Sequence, residues 1–543
     1  MGLWSLSGKK ILIIDDFAEM RSTIRGMLIP YGADNITMAS NGEEAVEIIC
    51  HHDFDIILCD YNLGDGKDGQ QLLEEVKLRG KLPYSTVFIM VTAESTSFMV
   101  MGALEHQPDD YLSKPFTHSV LQKRIKRILD KKGELKQLAR ALDQGNNSAA
   151  IDLCDEEIEK SPRYHHEFQK MKCELLINEH RYDEATELCN EIIAERKLPW
   201  ASFNLGKIHF LQQEHQDAAE IFDDIIRETP TYISAYDWLA KCQQAMEEYK
   251  TSQNTIEKGI EQSSKSVLRQ RTLAELAEIN NDFVTAEQAR KKVLKLAKNS
   301  ILQEASDYTK LAHALVVNNN TKEALKVIDQ LKYDIKQSTE AQLAAAVTKA
   351  KIYTDMGSKT ASQEAIDSAA ELYLKKQPQL SDEQALELTE AFLASGKNDV
   401  ADEIVTQLVR NNHDNQELLD KIRQIYKDAG MDDHVDEIVN TIRKEITVTN
   451  NKGVKLLESG DMNESIALFK KALERGPDNP VININTAHAY IMKYKSKGGG
   501  MSLLEQARAC LDKASGNEKL RKRYQVLNAA YWDIVNSMQE EQA

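Results

Sequence analysis

Five polar side chains stand at the ends of short apolar runs within the first 115 residues. They are Asp15, Asp16, Asp60, Thr92 and Lys114. Apolar runs of this length predict buried strands of a parallel sheet, and ligands of such sheets bind at the carboxyl ends of the strands. We therefore expect three carboxylates, a hydroxyl and an ammonium group to meet at one edge of the sheet. That combination indicates a phosphoryl-transfer site.

The residue types at this edge fit the chemistry of phosphoryl transfer, which needs an in-line nucleophile and neutralisation of the charge on the phosphoryl group. Asp60 can act as the nucleophile and form an acyl phosphate. The two neighbouring carboxylates would repel the incoming group unless a cation lay between them, and Mg²⁺ suits a site of few carboxylates, phosphate and water. Taken alone, each residue has a simpler explanation, such as a helix cap or a turn. Only their combination predicts the site.

The elements that must position these side chains alternate between strand and helix. The predicted strands are Lys10–Ile14, Ile36–Ala39, Asp55–Cys59, Thr86–Val91 and Asp110–Leu112. The predicted helices are Ala18–Ile29, Glu43–His51, Gly69–Arg79, Thr96–Glu105 and His118–Leu129. Five such units predict an α/β doubly wound fold, with one five-stranded parallel sheet and helices on both faces.

Four segments give residues 8–130 a resemblance to a known family. They read Asp15-Asp16-Phe-Ala-Glu-Met-Arg21, Asp60-Tyr-Asn62, Thr92-Ala-Glu94 and Tyr111-Leu-Ser-Lys114-Pro-Phe116. The stretch resembles the receiver domain of bacterial two-component response regulators, most nearly the CheY-like form, and the resemblance implies a flavodoxin-like sheet. One departure is the loop Leu63–Gly69, which is a residue longer than usual and lacks the family's proline.

The resemblance also implies a set of metal ligands and a phosphodonor. Asp60 would be the phosphoacceptor, and a sensor histidine kinase or a phosphotransfer protein would supply the phosphoryl group. Asp16 and Asp60 would bind Mg²⁺ directly, together with the main-chain carbonyl of Asn62, and Asp15 would act through a water molecule. These assignments come from the family likeness.

Three further residues would respond to the phosphoryl group if the resemblance holds. Lys114 would pair with it, Thr92 would donate a hydrogen bond to it, and Tyr111 would move inward behind Thr92. The bond between Lys114 and Pro115 is expected to be a cis peptide.

Residues 131–543 read as helical throughout, and their pattern repeats. Ala218, Ser252 and Ala286 are small residues at intervals of 34 positions, each at the expected close contact of a helical hairpin. This period resembles the tetratricopeptide repeat. The resemblance covers about ten hairpins, most clearly in 199–300 and 446–515, with a terminal capping helix over Lys519–Ser537. It implies an all-α superhelical solenoid whose concave face binds a protein or peptide not identifiable from the sequence.

Composition excludes several other classes of function. The net charge of −18 offers no basic face for nucleic acid, so no direct nucleic-acid binding is expected. No apolar run is long enough to span a membrane, and the start lacks the apolar region of a secretory signal. The seven cysteines form no Cys-x-x-Cys pair, which predicts reduced thiols in a cytoplasmic protein. The helical half shows no nucleophile–base set, so an enzyme is not expected.

The sequence thus predicts a receiver domain at 1–130 and a tetratricopeptide repeat region at 131–543. The expected function is that of a bacterial two-component response regulator, in which a phosphoryl group on Asp60 controls protein binding by the repeats. Two alternatives stay open. One is a phosphate sink or a kinase-docking adaptor without its own output, and the other is a transcription regulator that acts through protein partners.

Overall fold

The computed structural model defines most of the chain. It describes residues 5–93, 108–143, 146–160, 163–335, 338–497 and 500–540. Glu94 and the predicted helix Thr96–Glu105 lie outside these ranges.

The first part of the chain forms a five-stranded, fully parallel sheet with the order β2-β1-β3-β4-β5. The strands are β1 (Lys10–Ile14), β2 (Asn35–Ala39), β3 (Ile56–Asp60), β4 (Val87–Thr92) and β5 (Asp110–Ser113). Their register pairs Ile14 with Cys59, Asp60 with Val91 and Thr92 with Ser113, so the carboxyl ends lie at a common edge. The predicted doubly wound sheet is confirmed.

Helices cover both faces of this sheet, namely α1 (Ala18–Leu28), α2 (Gly42–His51), α3 (Gly69–Leu78) and α4 (His118–Glu134). Successive side chains of β3 point to opposite faces: Ile57 belongs to one buried cluster and Ile56 to the other. A 3₁₀ turn containing Pro30 ends α1. Helix α4 extends past the predicted limit at residue 130, so that predicted domain boundary falls inside a helix.

The rest of the described chain is helical. The helices of its first part are α5 (Lys136–Asp143), α6 (Asn147–Lys160), α7 (His165–Asn178), α8 (Tyr182–Glu195), α9 (Pro199–Leu211), α10 (His215–Glu228), α11 (Ile233–Ala245), α12 (Tyr249–Gln262), α13 (Val267–Ile279), α14 (Phe283–Ala297) and α15 (Ala305–Val317). Those of its second part are α16 (Thr321–Asp334), α17 (Thr339–Asp355), α18 (Lys359–Lys376), α19 (Asp382–Ala394), α20 (Asn398–Asn411), α21 (Gln416–Asp428), α22 (Asp432–Glu458), α23 (Met462–Leu473), α24 (Pro480–Lys497), α25 (Met501–Ala514) and α26 (Arg521–Glu540). This long all-helical repeat region is consistent with a tetratricopeptide-like array.

The small residues spaced 34 positions apart occupy equivalent buried places. Ala218, Ser252 and Ala286 are each fully buried. Gly206 lies so close to the ring of Phe222 that an added Cβ would be 2.9 Å from it. Small residues therefore let the paired helices of a hairpin approach each other, as the repeat pattern predicts.

One predicted boundary is absent. The repeat pattern predicts a separate segment of hairpins from residue 446, but α22 runs without interruption from Asp432 to Glu458. No glycine or proline lies between Asp432 and Asn451 to stop the helix. The terminal helix, in turn, begins at Arg521, after a 3₁₀ turn at Glu518–Leu520.

The chain divides into two compact units, Met1–Asn318 and Asn319–Ala543. The first holds the sheet together with helices α1 to α15, and the second holds the remaining helices around cores that include Phe392 and Phe469. Among the described residues, every helix is too short or too polar to cross a membrane. All seven cysteines are free thiols.

Candidate functional site

Three carboxylates meet where β1 and β3 end. Asp15, Asp16 and Asp60 each present an oxygen within 4.8 Å of the others. Asp15 is fully buried, and Asp60 is only 7% exposed. Buried like charges at this distance repel one another unless a cation compensates them, so the sequence-predicted cluster is a site that requires positive charge.

Lys114 supplies part of that charge. Its Nζ lies 2.8 Å from Asp15 Oδ2 and 3.1 Å from Asp60 Oδ2. Burial works against the charged amine, but the hydrogen bond to Asp15 and the charge of Asp60 outweigh it and raise the pKa of Lys114. The residue follows β5, and its peptide bond with Pro115 is cis, as predicted.

Asp60 holds a proton more readily than an ordinary aspartate. Burial raises the pKa of its carboxyl group to about 6, and the nearby charge of Asp15 adds to this effect, while Lys114 opposes it. Lys114 therefore does not offset the combined effect of burial and of Asp15 on the pKa of Asp60. A divalent cation would complete the compensation.

The donor set fits Mg²⁺. Asp16 Oδ1 is buried and has no hydrogen-bond partner among the described residues, which leaves a carboxylate oxygen available for a metal. Carboxylate oxygens are the ligands that Mg²⁺ prefers. The side chain of Asn62 accepts a hydrogen bond from the Gly64 amide at 3.3 Å, so its amide group serves the loop. The predicted magnesium ligand at Asn62 is its main-chain carbonyl oxygen, which takes no part in this side-chain hydrogen bond.

Thr92 ends β4, as predicted, and Tyr111 lies within the neighbouring strand β5. Thr92 is 7% exposed, and its carbonyl accepts a hydrogen bond from the Lys114 amide at 2.6 Å. The hydroxyl of Tyr111 is buried without a hydrogen-bond partner in the described part of the chain. Burial, followed by the proximity of Tyr61, raises the pKa of Tyr111 well above its usual range. Its ring packs against the core cluster that contains Tyr61.

The unusual loop after Asp60 is held tightly at both ends. Gly66 has a φ of +108°, a conformation that favours glycine, and an added Cβ there would lie 2.9 Å from the carboxylate of Glu43. That carboxylate also accepts a hydrogen bond from the Lys67 amide at 3.0 Å. At Gly69 an added Cβ would lie 2.3 Å from the Asp60 carbonyl oxygen. Helix α3 therefore starts directly against the strand that carries Asp60.

Sequence reasoning missed two contributors to the site. Arg21 Nη1 donates hydrogen bonds to the carbonyl oxygens of Asp15 and Asp16, at 2.6 and 3.3 Å, and so orients the acidic pair. Arg21 is the last residue of the first segment that carries the family resemblance, and the resemblance implies no role for it. The amide of Tyr61 donates to Asp60 Oδ1 at 3.0 Å, and its side chain contacts a lysine 204 residues later. A contact between residues so far apart in the chain cannot be predicted from local sequence patterns.

Comparison with known proteins finds receiver domains over the part of the chain that forms this site. The family model described as response regulator receiver domain matches residues 11–126. Chemotaxis protein CheY of Pseudomonas aeruginosa is 34% identical over 122 residues, which cover 22% of this chain and 97% of that protein. CheY-3 of Vibrio cholerae is 31% identical over 122 residues, covering 22% of this chain and 92% of that protein.

Two further matches concern a solved structure and the helical region. A CheY-like receiver domain protein from Methanospirillum hungatei shares 30% identity, covers 23% of this chain and 96% of its own, and has a TM-score of 0.21. The family model described as Intraflagellar transport protein 56 matches residues 180–393, less than half of the chain. Because the receiver model and the CheY relatives match its first part, the chain belongs to the response regulator family, with a CheY-like receiver domain at its N-terminus followed by a long all-helical repeat region.

Proposed function

We propose that the protein accepts a phosphoryl group on Asp60 and that this event controls protein binding by tetratricopeptide-like repeats in the bacterial cytoplasm. The observation that carries the proposal is the cluster of Asp15, Asp16 and Asp60, in which Lys114 contacts the two buried members, Asp15 and Asp60. A sensor histidine kinase or a phosphotransfer protein is the proposed donor.

In the proposed reaction, a carboxylate oxygen of Asp60 attacks the phosphorus atom of the donor. The bond between phosphorus and the donor nitrogen breaks, and its electron pair stays on the donor. The product is an acyl phosphate on Asp60. Because the nucleophile must be ionised, Lys114 supports the reaction by favouring the charged carboxylate.

Mg²⁺ would be held by Asp16 and Asp60, with the Asn62 carbonyl, and by Asp15 through water. When bound, it supplies the positive charge that lets a phosphoryl group approach three carboxylates. Arg21 keeps the acidic pair in place through the main chain. Lys114 is positioned to move its pairing from Asp60 to the phosphoryl oxygens, while Thr92 donates its hydroxyl and Tyr111 follows it inward.

We assign the output to the helical repeats because the CheY relatives match only about the first fifth of the chain. Stacked helical hairpins offer long surfaces for peptides or helices. We therefore propose signalling through a protein partner rather than catalysis by the helical part.

The experiment has two stages. Incubation with acetyl phosphate should add the mass of one phosphoryl group only when Mg²⁺ is present. The full-length protein, immobilised with or without beryllofluoride and Mg²⁺, should then retain different proteins from a lysate of its own cells. Equal retention in the two states, after successful labelling, would leave the phosphoacceptor role intact and exclude control of binding.

A further inference from the structure

The second compact unit contains a small cavity of its own. It has a volume of about 210 Å³, and all of its lining residues lie between Arg410 and Ile482. Pockets that hold drug-sized ligands or cofactors usually measure about 300–1,000 Å³. This cavity therefore suits a smaller molecule or a single terminal residue of a polypeptide.

The continuous helix α22 forms one wall of the cavity. Glu445, Ile446 and Thr449 line it, and they lie where the repeat pattern predicts a break in the helix. Ile446 packs against two hydrophobic cores, the one that includes Phe392 and the one that includes Phe469. The cavity therefore lies beside the residue at which these two cores meet.

Two turns hold the cavity in shape. Asn479, in the turn after α23, donates a hydrogen bond from Nδ2 to the Arg410 carbonyl oxygen at 2.7 Å. The amide of its neighbour Asp478 donates to Asn411 Oδ1 at 3.3 Å. Gly476 is buried in the same turn, where an added Cβ would lie 3.1 Å from the Arg410 carbonyl oxygen. These contacts fix the end of α20 against the turn, so the cavity is part of the fold.

Positive charge predominates in the lining. It contains three cations, Arg410, Lys471 and Arg475, and one carboxylate, that of Glu445, which leaves two positive charges in excess. The chain as a whole has a net charge of −18, so this local excess runs against its composition. An excess of one sign of charge around a cavity attracts a ligand of the opposite sign.

Glu445 engages only part of this charge. It forms an ion pair with Arg475, while its Oε2 lies 4.0 Å from Arg410 Nη2, too far for a hydrogen bond. Within the part of the chain that the structure describes, Arg410 has no closer acidic partner and Lys471 has none. The Arg410 side chain is only 26% exposed. Its planar group therefore offers N–H donors to a ligand in the cavity.

The rest of the lining is mostly apolar. Ile446, Leu468, Ala472 and Ile482 contribute aliphatic side chains, and Ile482 is fully buried. A ligand of this cavity therefore needs a negative group for the cations and an aliphatic group for the remaining wall. A carboxylate suits the arginine, because its two oxygens match the fork of a guanidinium group.

We propose that this cavity binds a carboxylate carried by a short aliphatic group. Arg410 and Lys471 bind the carboxylate, and Ile446, Leu468 and Ile482 contact the aliphatic part. Two sources carry this chemistry, namely a free small acid and the last residue of a polypeptide. The inference does not depend on the phosphoacceptor function proposed above, because no residue of the cavity belongs to the receiver domain.

Calorimetric titration of the full-length protein with isocaproate tests the proposal. A ligand with so few atoms should bind with a Kd on the order of 1 mM. Isocaproamide has the same shape without the charge, and its affinity should be lower by about tenfold or more. All titrations use the same concentration of sodium chloride, so that screening of the cations is constant.

Substitutions in the lining separate a charged site from a merely apolar one. Arg410→Met and Lys471→Met should each weaken isocaproate binding by about tenfold, since each removes a charge-assisted contact. Glu445→Gln should instead strengthen binding, because the competing carboxylate is lost, and a change that merely disturbed the fold would not do so. Lys455→Met is the matched control, because Lys455 is an exposed lysine of α22 that does not line the cavity. Circular dichroism confirms that each variant is folded.

A second acid distinguishes the two sources. N-acetyl-leucine presents the same aliphatic group and carboxylate next to an amide bond. Tighter binding of N-acetyl-leucine than of isocaproate identifies the last residue of a polypeptide as the ligand, and weaker binding identifies a free acid.

Three results would overturn the proposal. The first is the absence of binding by both acids at about 10 mM, tenfold above the expected Kd. The second is an equal affinity for isocaproate in the wild type, Arg410→Met and Lys471→Met. The third is an affinity that does not rise in Glu445→Gln.

Discussion

The ammonium nitrogen of Lys114 lies 3.1 Å from Asp60 Oδ2, so the proposed phosphoacceptor is already paired with the cation expected to support its reaction. The same nitrogen lies 2.8 Å from Asp15 Oδ2. One side chain thus connects the ends of β1, β3 and β5. The geometry explains why Asp15 and Asp60 can be buried side by side at this edge of the sheet.

Replacement of this lysine should slow phosphorylation more than it disturbs the fold. Lys114→Met removes the cation that favours an ionised Asp60 and that would pair with the phosphoryl group. We expect labelling by acetyl phosphate to slow by about 10²-fold, the usual effect of losing one electrostatic contact to a reacting group. Lys126→Met, at an exposed lysine of α4, is the control and should react like the wild type. Equal rates in the two variants would remove Lys114 from the mechanism.

Binding of Mg²⁺ should weaken at acidic pH. The Asp60 carboxyl has a pKa raised to about 6, so it takes up a proton as the pH falls through that value, and a protonated carboxyl is a poor magnesium ligand. Affinity should be nearly constant above about pH 7 and should fall by up to tenfold per unit below about pH 6. Calorimetric titration with Mg²⁺ at a series of pH values measures this affinity. Asp60→Asn should bind weakly and without this step, and a flat profile in the wild type would contradict the assignment.

The close approach within a repeat hairpin should be sensitive to a single added methyl group. Gly206→Ala would place its Cβ 2.9 Å from the ring of Phe222, and we expect it to lower the free energy of unfolding by about 1–3 kcal/mol. Gly133→Ala is the control, since an added Cβ meets nothing within 4 Å, and it should be neutral or stabilising by about 0.5–1 kcal/mol. Urea unfolding followed by helical circular dichroism compares them. Equal effects would mean that Gly206 is not at a tight contact.

Much of the receiver could be predicted because its signals are local. Each strand is an apolar run closed by a polar residue, and parallel pairing then brings Asp15, Asp60 and Thr92 to one edge. The period of 34 likewise identifies Ala218 and Ala286 as buried. These predictions need only residues that are close in sequence or equivalent by repetition.

Other features depend on contacts that no local pattern encodes. The hydrogen bond from Lys265 to Tyr61 joins residues 204 positions apart, and it depends on how successive hairpins stack. The continuous helix α22 was missed because repeat periodicity suggested a boundary where the chain contains no residue that stops a helix. The helix α4 was predicted too short, because its last turns pack beyond the sheet, where Lys132 Nζ donates to the Tyr84 carbonyl at 2.9 Å.

The most direct test of the central claim is to locate the phosphoryl group. After incubation with acetyl phosphate and Mg²⁺, reduction with borohydride converts a phosphorylated aspartate to homoserine, which peptide mass spectrometry locates in the chain. The account predicts homoserine at position 60 alone, its absence when Mg²⁺ is removed, and no product at any position in Asp60→Asn. Stable labelling of Asp60→Asn, or labelling of the wild type without Mg²⁺, would contradict it.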